Sequence, residues 1–336
     1  VSTIFAAATG IVGASVTILG IMAGKTMIRT GYDTRLSAGL ICAGGTLGIL
    51  IPPSIMLVVM GPVLEIPVTD LFAAAIMPGI LLACLYAAYT TLRCYLNPKL
   101  GPVLPVNEQP TNMAKVWYEF IMGLIPPAGL VFFALGSILF GLATPTEGAG
   151  MGAFGAILLA LAYKKLTLPG LKDALLKTLE ITALIMFLVA ASNFFGAVFS
   201  KLGTPSLLTD FLLNLEVNRY VILAIIMAAI FLLGWPLEWV PIVLIVLPIV
   251  LPLVIELGFN LTWFAILVAV NLQTAWLSPP VALSAYFLKG VVPEWDLKDI
   301  YLGMMQFMVI QVIGLILIII FPKIALWLPG VMYPSP

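Results

Sequence analysis

Oxygen-bearing side chains and glycines gather at two places in an otherwise apolar chain. The first set is Thr9, Gly10, Gly13 and Ser15 in "TGIVGAS", with Gly44, Gly45, Thr46 and Gly48 in "GGTLG". The second is Gly234 and Glu238 in "GWPLEWVP", with Asn271, Gln273, Thr274 and Ser278 in "NLQTAWLS". Each set runs into a proline pair, Pro52–Pro53 or Pro279–Pro280. Hydroxyls, amides, one carboxylate and glycine-exposed carbonyls are hard oxygen donors, which suit a cation such as Na+ rather than a transition metal. A plainer reading stands beside this one, since any Ser or Thr here can bond its own helix carbonyls.

The elements that would position these groups follow from composition. The 336-residue chain is 62% hydrophobic and 9% charged, against roughly 25% charged in an ordinary soluble domain. Apolar runs at 69–92, 117–140, 180–199 and 301–321 are each long enough to cross a hydrocarbon layer about 30 Å thick. The reading is an all-α polytopic membrane protein; the ten-residue alternation of a membrane β-barrel is missing. Net charge is zero, which gives nucleic acid no electrostatic hold, and there is no histidine. That removes histidine-based zinc chemistry, haem ligation and catalytic triads. Cys42, Cys84 and Cys94 show no metal-ligand spacing and read as small core residues.

A shift of 227 positions superimposes the two proline pairs and lays Gly31-Tyr32-Asp33 on Gly258-Phe259-Asn260. "VTDLF" (68–72) meets "EWDLK" (294–298) with a one-residue slip. Each unit reads as a re-entrant hairpin followed by a discontinuous membrane helix. The first repeat is 1–96, with hairpin 1 at about 1–27, a broken helix at 34–62 and a helix at 69–95. Within the broken helices the half-helices are 34–43 and 262–270, and the interruptions 44–53 and 271–280. Residues 97–115 read as a cytoplasmic linker. Scaffold helices fill 116–218, with a basic amphipathic helix at about 164–179 along the interface. The second transport part spans 219–323, with hairpin 2 at about 219–256, a broken helix at 262–290 and a helix at 297–322. Placing the turn at 25–35 in the cytoplasm puts twelve Lys and Arg inside and leaves Lys201, Arg219 and Lys323 outside, as basic residues prefer. The two hairpins then enter from opposite faces, which makes the repeats inverted.

Lipid offers no hydrogen bonds, so broken backbone at membrane depth must be buried in protein or line a cavity. Paired breaks with helix-end charges aimed at one spot match the plan of ion-coupled carriers. Glu147 in "LATPTEGAGMG" is a candidate buried acid, or else the partner of Thr144 in a capping box, with Pro145 at the first helical position. No Arg or Lys falls at midplane depth in either unit, so a substrate carboxylate would meet half-helix N-termini, hydroxyls or bound Na+.

Four stretches resemble the large membrane subunit, DctM type, of the tripartite ATP-independent periplasmic (TRAP) transporters. They are "GYDTRLSAGLICAGGTLGILIPPSIMLVVMG" (31–61), "DLFAAAIMPGILLA" (70–83), "GLATPTEGAGMGAFGAILLAL" (141–161) and "NLQTAWLSPPVALSAYFLKG" (271–290). The resemblance covers essentially the whole chain. It implies Na+-coupled import of an organic anion, usually a carboxylate, with elevator-type movement and Na+ sites at the hairpins and broken helices. It also implies a small four-helix membrane subunit, a periplasmic substrate-binding protein, residence in the inner membrane, no enzymatic activity and no cofactor beyond the coupling ion. The first tip departs from the family's Ser-Gly-Ser-Ser-like run, Ser278 stands where Thr is common, and Glu238 where Asp is common. By repeat symmetry about three helices are expected ahead of Val1. The alternative is a stand-alone ion-coupled anion carrier of the same plan that needs no binding protein.

Overall fold

The computed structural model describes residues 2–102, 112–279 and 282–333. Val1, the middle of the expected linker (103–111) and Pro280 therefore lie outside the described residues. Among those described there is no strand, and six helices are long and apolar enough to cross a membrane.

Two compact units divide the chain, one formed by 1–104 with 198–336 and the other by 105–197. The first unit opens with α1 (Ser2–Thr9) and α2 (Val12–Leu19), parted at Gly10, whose φ of 64° favours glycine. A π turn at Gly20–Gly24 leads to α3 (Lys25–Arg29). The chain continues as α4 (Thr34–Thr46), a 3-10 turn at Leu47–Ile49, α5 (Ile55–Leu64) and α6 (Val68–Leu96). In the other unit, α7 (Met113–Leu139) and α8 (Pro145–Ala162) pack at Gly148 and Gly155, where an added Cβ would strike Ile138 and Leu130. The α9 helix (Leu168–Lys201) follows. The chain then runs through α10 (Thr204–Leu213), α11 (Arg219–Leu233), α12 (Trp239–Pro241), a π turn at Ile242–Val246 and α13 (Leu247–Glu256). The last elements are α14 (Leu261–Ala275), α15 (Leu283–Val291), α16 (Leu297–Ile320) and α17 (Lys323–Met332).

Several boundaries differ from those read off the sequence. The half-helices run further, to Thr46 and Ala275 instead of 43 and 270, so most of the polar residues assigned to the breaks sit in final helical turns. Their own helices hold them: Thr46 Oγ1 donates to Ala43 O and Thr274 Oγ1 to Asn271 O. Asn112 caps α7, so 113–115 is helix rather than linker. The stretch 164–179 is not a separate helix, since Leu168–Lys201 runs unbroken. Pro169 and Gly170 fall in its first turn, where they are tolerated, and no proline follows before Lys201.

Local geometry recurs at the 227-residue shift. Gly31 and Gly258 both take positive φ, 75° and 69°. The amides of Tyr32 and Phe259 close back on Met27 O and Val254 O, which is a Schellman-type helix end. Asp33 and Asn260 then cap the next helices by accepting from the amides of Leu36 and Trp263, at 2.8 and 3.0 Å. A glycine that can turn left-handed followed by an Asx cap forces both chains to stop and restart.

The α16 helix joins the two half-helices α4 and α14. An added Cβ at Gly303 would lie 2.0 Å from Arg35 O, and one at Gly39 would lie 2.5 Å from Gly303 O, so backbone meets backbone there. Small residues permit such approaches between membrane helices. Against α14, Trp263 Nε1 donates to Ile318 O at 3.0 Å. Gly303→Val should therefore lower stability by about 1–3 kcal/mol or more through overpacking. Gly196→Ala, with nothing within 4 Å of its added Cβ, should change it by no more than about 1 kcal/mol. Thermal unfolding of the purified protein checks both.

Candidate functional site

Each helical N–H normally donates to the carbonyl four residues earlier. Proline lacks that N–H. Pro52 and Pro53 thus withhold donors from Gly48 O and Ile49 O, and Pro279 withholds one from Ala275 O. Ile49 O is rescued by Ser54 Oγ, and Trp276 O accepts from Ser284 Oγ. Ile49 and Trp276 are 227 positions apart, as are Gly48 and Ala275. Ser54 and Ser284 were not singled out from the sequence, although a serine directly after "LIPP" is a legible signal for such a rescue.

The first hairpin tip presses on Gly48. A Cβ there would lie 2.8 Å from Ala6 O and 3.1 Å from Ser15 Oγ. Gly10 sits where a Cβ would meet Pro53 O at 3.0 Å, Gly45 is crossed by Val16, and Gly44 by Ser2. Thr9 Oγ1 donates to Ala6 O (3.0 Å), Ser15 Oγ donates to Ile11 O (2.9 Å), and the two hydroxyls also contact each other. The same carbonyls also accept from backbone amides, Ala6 O from Gly10 N and Ile11 O from Ser15 N, both at 3.0 Å. The result is a cluster of oxygens at the tip, with Ser15 fully buried. The structure brings Thr9, Gly10, Ser15, Gly44, Gly45 and Gly48 together. It separates Gly13, which packs under the Phe287 ring, and Thr46, which faces Tyr86 on α6.

The second tip behaves in the same way, but more loosely. Gly234 lies where a Cβ would be 3.1 Å from Ala275 Cβ. Glu238 shares a narrow cleft with Gly234, Leu237, Ala275, Trp276 and Leu283. The remaining residues of the set point elsewhere. Asn271 Nδ2 donates to Met227 O on α11 (2.7 Å), and Ser278 Oγ donates to Thr274 O (2.7 Å) and lies 3.0 Å from Met308 Sδ. Gln273 Oε1 accepts from Gln311 Nε2 of α16 at 2.8 Å. Pro279 closes the described part of this break. Gln311 escaped the sequence reading because a lone glutamine in an apolar helix carries no spacing signal.

Glu147 is not a buried acid. It is exposed, and its carboxylate accepts from Thr144 N and Oγ1, both at 2.8 Å, while its own amide donates to Thr144 Oγ1. This is a complete capping box at the start of α8. The residue lines an apolar groove of about 580 Å³ with Phe132, Phe133, Phe140, Leu142 and Met151. Among the described residues no group of three or more Cys, Asp or Glu could hold a metal ion.

Comparison with known proteins places this geometry. Residues 1–324 match the family described as "Tripartite ATP-independent periplasmic transporter, DctM component". The chain is 30% identical to the C4-dicarboxylate TRAP transporter large permease of Pseudomonas aeruginosa, over 97% of its own length and 75% of the relative's. It is 28% identical to the sialic acid TRAP transporter large permease of Vibrio cholerae, over 98% and 75%. Against the 2,3-diketo-L-gulonate TRAP transporter large permease of Escherichia coli K12 the figures are 27%, 89% and 68%. The chain is therefore a multi-pass membrane protein that belongs to the large-permease, DctM, family of TRAP transporters.

Proposed function

We propose that this chain imports a small organic anion across the bacterial or archaeal inner membrane by coupling it to Na+. A periplasmic binding protein delivers the substrate, and a small four-helix membrane subunit accompanies the chain. One observation carries the reading. At two positions 227 residues apart, Gly48 and Ala275, a proline strips the donor from a carbonyl and a hairpin tip sits against that residue. Around Gly48, the carbonyls of Ala6 and Ile11 and the hydroxyls of Thr9 and Ser15 form an oxygen-rich cradle. Hard oxygen donors of this kind suit Na+. Around Ala275 the tip brings the Glu238 carboxylate into the same cleft.

The anion then meets the positive end of a half-helix and the bound cation, in place of a buried Arg or Lys. The relatives' names cite C4-dicarboxylates, sialic acid and diketogulonate, all of which bear a carboxylate. Inverted repeats and an elevator complete the proposal. Hairpins, broken helices, α6 and α16 move together across the bilayer against scaffold helices drawn from 116–218. Burial supports that division, because the apolar windows of α8 and α9 are each only 6% buried within the chain, while that of α6 is 50% buried.

Reconstituted in liposomes with its two partners, the chain should accumulate substrate only under an inward Na+ gradient. Uptake unaffected when K+ replaces Na+ overturns the coupling, and uptake without the binding protein points to the stand-alone carrier. Ser15→Ala should raise the half-saturating Na+ concentration about 10- to 100-fold, since a hydrogen-bond-type interaction with a charge is worth about 1.5–3 kcal/mol. Cysteines placed at Lys172 and Lys201 test topology in a background lacking Cys84 and Cys94. An impermeant thiol reagent added to spheroplasts should label position 201, and position 172 only after permeabilisation.

A further inference from the structure

Gln273 and Gln311 are both fully buried. They form one amide–amide hydrogen bond, Gln311 Nε2 to Gln273 Oε1 at 2.8 Å, and the same nitrogen reaches Val270 O at 3.4 Å. That carbonyl settles which way Gln311 points, because the reversed amide would set oxygen against oxygen. Two polar atoms are then left without any partner, Gln311 Oε1 and Gln273 Nε2. The other buried residues of this helix around them are apolar, namely Met304, Phe307, Leu315 and Ile318. A contact needed only for packing would cost less with two leucines, since a buried, unpaired polar atom carries the full penalty of leaving water.

We propose that Gln311 is a Na+-binding residue of the second break. Its free Oε1 ligates the ion, and an oxygen in that ion's shell, from water or a carboxylate, accepts from Gln273 Nε2. The proposal rests on the Na+-coupled reading above and names a ligand which that reading does not contain. Neither a bare cation nor an isolated anion satisfies the pair, since one half is an acceptor and the other a donor. A sodium ion carrying an oxygen partner satisfies both. The pair thereby favours cation and anionic oxygen arriving together, which is the requirement for coupled transport. Gln273, grouped from the sequence with the cation ligands through its oxygen, is turned by Gln311 into an N–H donor instead.

The first break carries an independent parallel. Thr46 stands 227 positions before Gln273. It is faced by Tyr86 of α6, whose hydroxyl is buried beside it. In each unit the long helix that follows the broken one, α6 or α16, thus sends one polar side chain to the last turn of the half-helix before the break.

The test uses Na+ alone as probe, with K+ as control, on the purified full chain with its small membrane subunit. The readout is the Na+ concentration that gives half of the maximal rise in unfolding temperature. Gln311→Leu should raise that concentration at least about tenfold. Gln311→Glu, which as a neutral acid keeps both an oxygen and a donor to Gln273, should stay within about threefold of wild type. Gln311→Met serves if the leucine variant does not fold. A leucine or methionine variant with an unchanged Na+ response overturns the proposal, as does a glutamate variant as impaired as the leucine one. A wild-type protein indifferent to Na+ would instead overturn the coupled-transport reading itself, and this inference with it.

Discussion

Lipid cannot hydrogen-bond to a peptide group, and that constraint governs the molecule. Every interruption of a helix at membrane depth must be satisfied from within the protein. The chain meets the requirement with serines placed just beyond its prolines: Ser54 reaches Ile49 O and Ser284 reaches Trp276 O. What the serines do not reach lies against the hairpin tips. The same segments therefore solve a folding problem and carry the oxygens on which the proposed Na+ sites draw. The α16 helix holds the arrangement in place, touching α4 backbone to backbone at Gly39 and Gly303 and touching α14 through Gln311 and Trp263.

How much of this was legible depended on whether the signal was local. Gly31-Tyr32-Asp33 and Gly258-Phe259-Asn260 could be read directly, because a left-handed glycine and an Asx cap act within a few residues. The locations of both breaks were legible for the same reason, but their lengths were not. Thr46 and Thr274 stay helical by returning their hydroxyl protons to carbonyls of their own turn. Proline pairing alone is also an incomplete rule. Pro126 and Pro127 sit inside α7, which remains helical through them. That pair is followed by Ala128 and Gly129, whereas Ser54 follows the first broken pair and Ser278 precedes the second.

Pairings across long separations were hidden. Gln311 meets Gln273 from 38 residues away, and no periodicity announces such a meeting. Glu147 was ambiguous for a different reason. A carboxylate three residues after a threonine suits both an ion site and a helix start, and only the two 2.8 Å contacts to Thr144 decide in favour of the latter. The stretch 164–179 failed as a separate element because amphipathicity describes a face, whereas helix ends are set by prolines and caps.

Both hairpins carry one wide turn in the returning arm, at Gly20–Gly24 and at Ile242–Val246. Such a turn holds one residue more than α-geometry needs. Passing that surplus along the arm rotates the stretch it traverses by about 100° and advances it by about 1.5 Å, with no helix having to melt. The arm behind each tip can therefore change register by one residue while the rest of it keeps its ladder intact.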